Sequence, residues 1–271
     1  MKLSLFLSNL KLSRGTLIAW CSLILLYGVF AVYLYPVVSK SNMDYIGYIA
    51  ALPEAMRTAM GMGDLDIANL AFTADTYVAV EFLMFWPLII CFYAIFAGVG
   101  LSREVERGTL DLLLAQPVNR IRVLISKYAV LLVGILLIAA ASWAGIAIGS
   151  LLADVSLNLG YQALALLHGL LLVAAISSYT LLTSVIFLEP RKALAVSGVI
   201  TAAMYIVNFI IPLLNPGSEW LAELSFFHHY NPIDIVRSGT ADWTALIIFG
   251  TTFLVCSAAS IIVFRRRDLS A

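Results

Sequence analysis

Long apolar runs alternate with polar segments six times along this chain. A hydrocarbon layer about 30 Å thick is crossed by roughly 20 apolar residues in a helix, and backbone that faces lipid must satisfy its own hydrogen bonds. Each run therefore predicts one spanning helix: Leu17 to Tyr35, Tyr77 to Leu101, Tyr128 to Leu152, Tyr161 to Leu188, Ala193 to Leu214, and Trp243 to Phe264. Lys2, Lys11 and Arg14 precede the first run as they would in a secretory leader, but the run is long and no small-x-small cleavage pattern follows it, which predicts a retained anchor.

The segments between the runs are unequal. Two are short turns, Ala153 to Gly160 and Glu189 to Lys192, whereas Pro36 to Thr76 and Asn215 to Asp242 are long enough to fold as caps. In the first cap, Leu52, Met56 and Met60 recur at helical spacing after Pro53, and Gly61 and Gly63 close the pattern. In the second, Trp220, Leu221, Leu224, Phe226 and Phe227 are strongly apolar, and Asn231-Pro232 with Asp234 predicts the start of a further short helix. Before the first span, Leu3, Leu5, Phe6 and Leu10 fall near one helical face, and Lys2 and Lys11 can reach lipid headgroups.

The segment from Ser102 to Ser126 is the most informative. Arg103, Glu104, Glu106 and Arg107 mix both signs of charge where the second run ends, and Gly108 breaks the helix. Thr109 is placed to cap a new helix, Asp111 suits its first turn, and Leu110, Leu112, Leu113 and Leu114 cover it with apolar surface until Pro117 stops it. Such a knob fits either a lipid surface or a groove on a soluble partner.

Composition agrees with the pattern: 62% of the 271 residues are hydrophobic, 12% are charged, and the mean hydropathy is +0.98. Sixteen cations balance sixteen anions, which excludes a basic nucleic-acid binder and leaves charge placement as the useful quantity. Thirteen of those cations fall on one side of the six runs, and only Lys40, Arg57 and Arg237 fall on the other. Cations accumulate on the cytoplasmic side, so both termini are expected there. Cys21, Cys91 and Cys256 sit inside apolar runs, without metal or disulfide spacing.

The run from Glu104 through Gly108-Thr109-Leu110, Leu112-Leu113-Leu114 and Pro117 to Arg120, with Lys127 opening the third span, resembles the signature loop of ABC-2 type transporter permeases. The ending Phe264-Arg265-Arg266-Arg267-Asp268-Leu269 is similar to the usual terminus of that family, and the six-span topology agrees. The resemblance implies an all-α membrane domain over residues 1–271, with a cytoplasmic coupling helix and an outer re-entrant segment at 215–242. It implies an amphipathic connecting helix over residues 1–13 lying on the headgroups of the inner leaflet, and an exporter subunit in the plasma (inner) membrane of a prokaryotic-type cell. Arg103, Glu104, Glu106, Arg107, Thr109, Asp111, Leu112, Leu113 and Arg120 would meet a stand-alone ABC ATPase, present in two copies. A second copy of the chain, or a related permease, would complete the pathway. No GxxxxGK[ST] motif occurs, so ATP and Mg would be used by the partner, and this chain is expected to need no cofactor, metal or nucleic acid of its own.

Polar residues inside the runs are candidates for the pathway, because charge at bilayer depth is costly. They are Glu81, Trp86 beside Pro87, His168 and Asn208. Each also has a structural reading: proximity to water for Glu81, interhelical hydrogen bonding for His168 and Asn208, and a helix kink at Pro87. Met43, Met56, Met60 and Met62, and the pair His228-His229, read as packing rather than as metal ligands. A secondary transporter is disfavoured by the lack of repeats, and an intramembrane enzyme by the lack of HExxH or GxSxG. A sensor or scaffold attached to an ABC ATPase would share the cytoplasmic knob. Aliphatic and aromatic spans favour an amphipathic or hydrophobic cargo.

Overall fold

The computed structural model describes residues 3–41, 44–59, 72–109, 119–210, 214 and 219–267, and every regular element among them is helical. Helix α1 runs from Leu3 to Lys40, followed by the short α2 (Tyr45–Ala50) and α3 (Glu54–Ala59). The second span is assembled from α4 (Ala74–Val78), a π-helical turn (Ala79–Leu83), α5 (Trp86–Gly98) and α6 (Gly100–Glu106). Three long helices come next: α7 (Arg120–Ala153), α8 (Leu159–Phe187) and α9 (Pro190–Phe209). A 3-10 turn (Glu219–Leu224) and α10 (Pro232–Ser238) lead to α11 (Trp243–Arg266). Six stretches are long and apolar enough to cross a bilayer, and the chain is a multi-pass membrane protein.

Local chemistry sets the helix ends. Asn119, Asn158, Asn231 and Asp242 each turn a side-chain oxygen onto a backbone N–H of the first turn of α7, α8, α10 and α11. Pro190 and Pro232 occupy first helical positions, where a missing N–H costs nothing. Gly108 and Gly239 have φ of 66° and 69°, a region that glycine enters freely. Asp154 and Leu188 end α7 and α8 in the same left-handed region despite carrying a Cβ.

Two elements differ from expectation. The segment expected to lie on headgroups as a separate helix continues into the first span without a break. At 1.5 Å per residue the 38 residues of α1 reach about 57 Å, well beyond a 30 Å core, so one end projects from the membrane. The third span also begins earlier, at Arg120 rather than Tyr128, because the Asn119 cap starts the helix outside the apolar run.

Helix α8 is the centre of the bundle: 72% of its apolar window is buried, against 11% for α11. It packs on α5, α7, α9 and α11. Helix α1 lies along α7, where a small-residue stripe lets the backbones approach. A Cβ added at Gly145 would stand 2.4 Å from the Leu25 carbonyl oxygen, and one at Gly149 2.8 Å from Val32 Cβ. At one end of the bundle Asn9 on α1 reaches Ser126 on α7, and Arg267 donates to carbonyls at the end of α8. At the other, Asp75 of α4 accepts from the Asn158 amide at 2.9 Å and from Gln162 Nε2 at 3.0 Å. The first of these ends carries the clustered cations and is called the basic end below.

Candidate functional site

At the basic end the second span breaks once more before it leaves the bundle. Val99 has φ −81° and ψ 12°, outside the helical region, and stands between Gly98 and Gly100. A Cβ on Gly98 would meet Thr180 Cγ2 at 2.7 Å, so the close approach to α8 requires glycine there. Beyond the break α6 is pinned. The Ser102 amide donates to Ser184 Oγ at 3.2 Å, the Ser184 hydroxyl donates to Ser102 Oγ at 3.1 Å, and both side chains are fully buried. Glu104 pairs with Lys127 of α7, and both side chains are less than one-fifth exposed. Arg103 lies over the Phe96 ring, 5.8 Å from its centroid.

The sequence-predicted coupling residues divide accordingly. Arg103 and Glu104 face neighbouring helices, whereas Glu106 and Arg107 are exposed on the last turn of α6. The Thr109 hydroxyl donates to the Glu104 carbonyl at 3.3 Å, so it serves the helix behind it. Arg120 is exposed at the start of α7. Asp111, Leu112 and Leu113, with the rest of residues 110–118, lie outside the described residues.

A cavity of about 280 Å³ opens at this end between α1, α6 and α7, with Asn9, Ser13, Arg103, Glu104, Arg107 and Lys127 among its lining. Glu81, Trp86, His168 and Asn208 do not line it. Trp86 is buried in the chain's own core, where its indole N–H donates to Ser142 Oγ at 2.7 Å and its ring covers Gly169. His168 is 2% exposed and meets Tyr230 and Phe249 edge-on, and neither ring nitrogen has a partner among the described residues. Asn208 is buried near the end of α9. Glu81 lies at the far end, inside the π turn, where it accepts from the Tyr45 hydroxyl at 2.7 Å.

The π turn supplies residues that the apolar pattern concealed. The Tyr27 hydroxyl donates to the Glu81 carbonyl at 2.8 Å, and the Tyr230 hydroxyl donates to the Leu83 carbonyl at 3.0 Å. Burial raises the pKa of Tyr45 and Tyr230 well above the usual phenol value, and the Glu81 carboxylate adds to the rise at Tyr45. Both remain neutral donors. Ser102, Ser184 and Tyr230 have no local signature, but Gly145-x-x-x-Gly149 is a readable small-residue motif.

Residues 6–265 match the family model described as multidrug efflux system permease Rv1217c, C-terminal domain. The chain belongs to that family. The match covers all six spans of the permease and agrees with the ABC permease resemblance carried by the motif from Glu104 to Arg120. No curated protein matches the permease at a significant level.

Proposed function

We propose that this permease is the membrane subunit of an ATP-driven exporter, oriented with its basic end in the cytoplasm of a prokaryotic-type cell. Two copies, or one copy and a related permease, enclose the pathway in the plasma membrane, and a separate ABC ATPase supplies the energy. The membership in a multidrug efflux permease family carries this reading, and the charge asymmetry supports the orientation.

The geometry at α6 suits a lever. The helix is clamped to α8 through Ser102–Ser184 and to α7 through Glu104–Lys127, so force on residues 106–120 moves the bundle rather than a loose loop. Leu112 and Leu113 are the proposed contact with the ATPase, and Asp111, Glu106, Arg107 and Arg120 set its register. The cargo is amphipathic or hydrophobic, in keeping with spans of high hydropathy. The test is co-expression with stand-alone ABC ATPases, beginning with any that neighbouring genes encode. Co-purification in mild detergent and permease-stimulated ATP hydrolysis are expected. Leu112→Asp with Leu113→Asp should abolish the stimulation while the melting temperature of the permease is retained. Full stimulation in that variant overturns the coupling assignment.

A further inference from the structure

The cavity at the basic end has features that coupling to an ATPase does not require. Its outer rim carries Leu12, an apolar side chain 85% exposed on the flank of α1, and its inner wall continues to Trp20 and Leu131. On the opposite side stand two guanidinium groups, Arg103 and Arg107. No carboxylate among the described residues lies within ion-pair distance of either. Glu104 offers a third feature. One of its carboxylate oxygens is taken by Lys127, while the other, Oε2, is buried and accepts no hydrogen bond from the described residues. A buried acceptor on an ionised group without a donor is costly, and a bound donor removes that cost.

A ligand that satisfies these groups together carries an anion for the two arginines, an N–H-bearing cation for Glu104 Oε2 and an apolar part for the Leu12 rim. Arginine matches phosphate oxygens with two parallel N–H donors, and a primary ammonium supplies three N–H donors where a trimethylammonium supplies none. A volume of about 280 Å³ lies at the lower limit of small-molecule pockets, roughly 300–1,000 Å³, and suits a headgroup rather than a whole drug-sized cargo. We infer that this cavity binds a phosphoethanolamine group, presented by a phosphatidylethanolamine of the adjoining leaflet whose acyl chains leave past Leu12. Such a lipid would tie α1 to α6 and α7, the helices that the lever must move together.

The orientation proposed above makes that leaflet the inner one, but binding itself requires neither transport nor an ATPase. The full-length protein is therefore purified alone from mixed micelles holding equal amounts of phosphatidylethanolamine, phosphatidylglycerol and phosphatidylcholine, and its retained lipid is weighed by native mass spectrometry. Retention of phosphatidylethanolamine at least about fivefold above the other two is expected. Arg103→Gln with Arg107→Gln should remove most of that retention, and Glu104→Gln should erase the preference over phosphatidylglycerol. Ser13→Phe, which fills the cavity without breaking an ion pair, should displace the lipid at an unchanged melting temperature. A parallel titration with soluble O-phosphoethanolamine separates the sources: saturable binding with no lipid retained supports the same headgroup chemistry supplied by a free ligand. Equal retention of the three lipids, or undiminished retention in the arginine and Ser13 variants, overturns the inference. Either result would leave the ATPase experiment unaffected.

Discussion

The Tyr230 hydroxyl donates to the carbonyl of Leu83 at 3.0 Å, and Pro87 explains why that carbonyl needs a donor. In a regular helix Leu83 would accept from the amide four residues on, but Pro87 has none. The loop before α10 thus completes the hydrogen bonding of the second span across 147 positions of sequence. It does so in the buried core, where a phenol without a partner, or a carbonyl without one, is expensive.

Tyr230→Phe should destabilise the protein by about 1–3 kcal/mol, the range for a buried polar group left unpaired. Pro87→Ala restores an amide to the Leu83 carbonyl, so the same Tyr230 substitution should cost clearly less in that background. A double-mutant cycle in detergent, read by thermal unfolding, measures the difference. An identical cost in both backgrounds would separate Tyr230 from the proline.

Gly145 sets the distance between α1 and α7. Gly145→Val brings a Cβ to 2.4 Å from the Leu25 carbonyl oxygen, and backbone must shift to admit it. Overpacking of this kind costs about 1–3 kcal/mol. Gly15 lies on the same α1 with nothing within 4 Å of an added Cβ, so Gly15→Ala should be neutral or mildly stabilising. The two variants share a thermal-shift assay, and equal effects would refute the packing account.

The difference between what the residue pattern predicted and what the structure holds follows the physics of each signal. Hydropathy reports which residues tolerate lipid, and it located all six crossing helices. It does not report where hydrogen bonding begins, so Arg120 to Ser126 read as loop although Asn119 caps a helix there. Gly108 and Asn231-Pro232 were readable because their chemistry is local. The π turn at Ala79–Leu83 was hidden, since its carbonyls are served by tyrosines 54 and 147 positions away. The charged stretch from Arg103 to Arg107 was legible as a motif, but the Ser102–Ser184 hydrogen bonding beside it was not, because serine in an apolar helix usually bonds its own backbone.

The Glu104–Lys127 pair should matter more for coupling than for folding. With both side chains less than one-fifth exposed, removal of one partner should cost less than the roughly 3–5 kcal/mol of a fully buried pair. Lys127→Met should therefore leave a folded protein whose stimulation of the ATPase falls severalfold. The exchange Glu104→Lys with Lys127→Glu should restore part of it. Activity measured in reconstituted vesicles, beside a melting curve for each variant, tests this. A drop in stability with full coupling would make the pair merely structural.

Glu81 joins the segment between the first two spans to the second span. Its carboxylate accepts from Tyr45 at the start of α2, while its carbonyl accepts from Tyr27 on α1, so one residue of the π turn holds two elements. π-helical turns recur where function needs a helix to deviate, and here the deviation turns Glu81 toward the aromatic cluster of Tyr45, Phe72 and Tyr77. Tyr45→Phe removes the charge-assisted hydrogen bond alone, at a cost of about 1.5–3 kcal/mol, and keeps the ring packing. The effect should be local. A cysteine introduced at the exposed Tyr48 should become more reactive to a membrane-impermeant maleimide in the Tyr45→Phe background, while reactivity at the basic end stays unchanged. Unaltered labelling at position 48 would show that aromatic packing, rather than Glu81, holds α2 against the bundle.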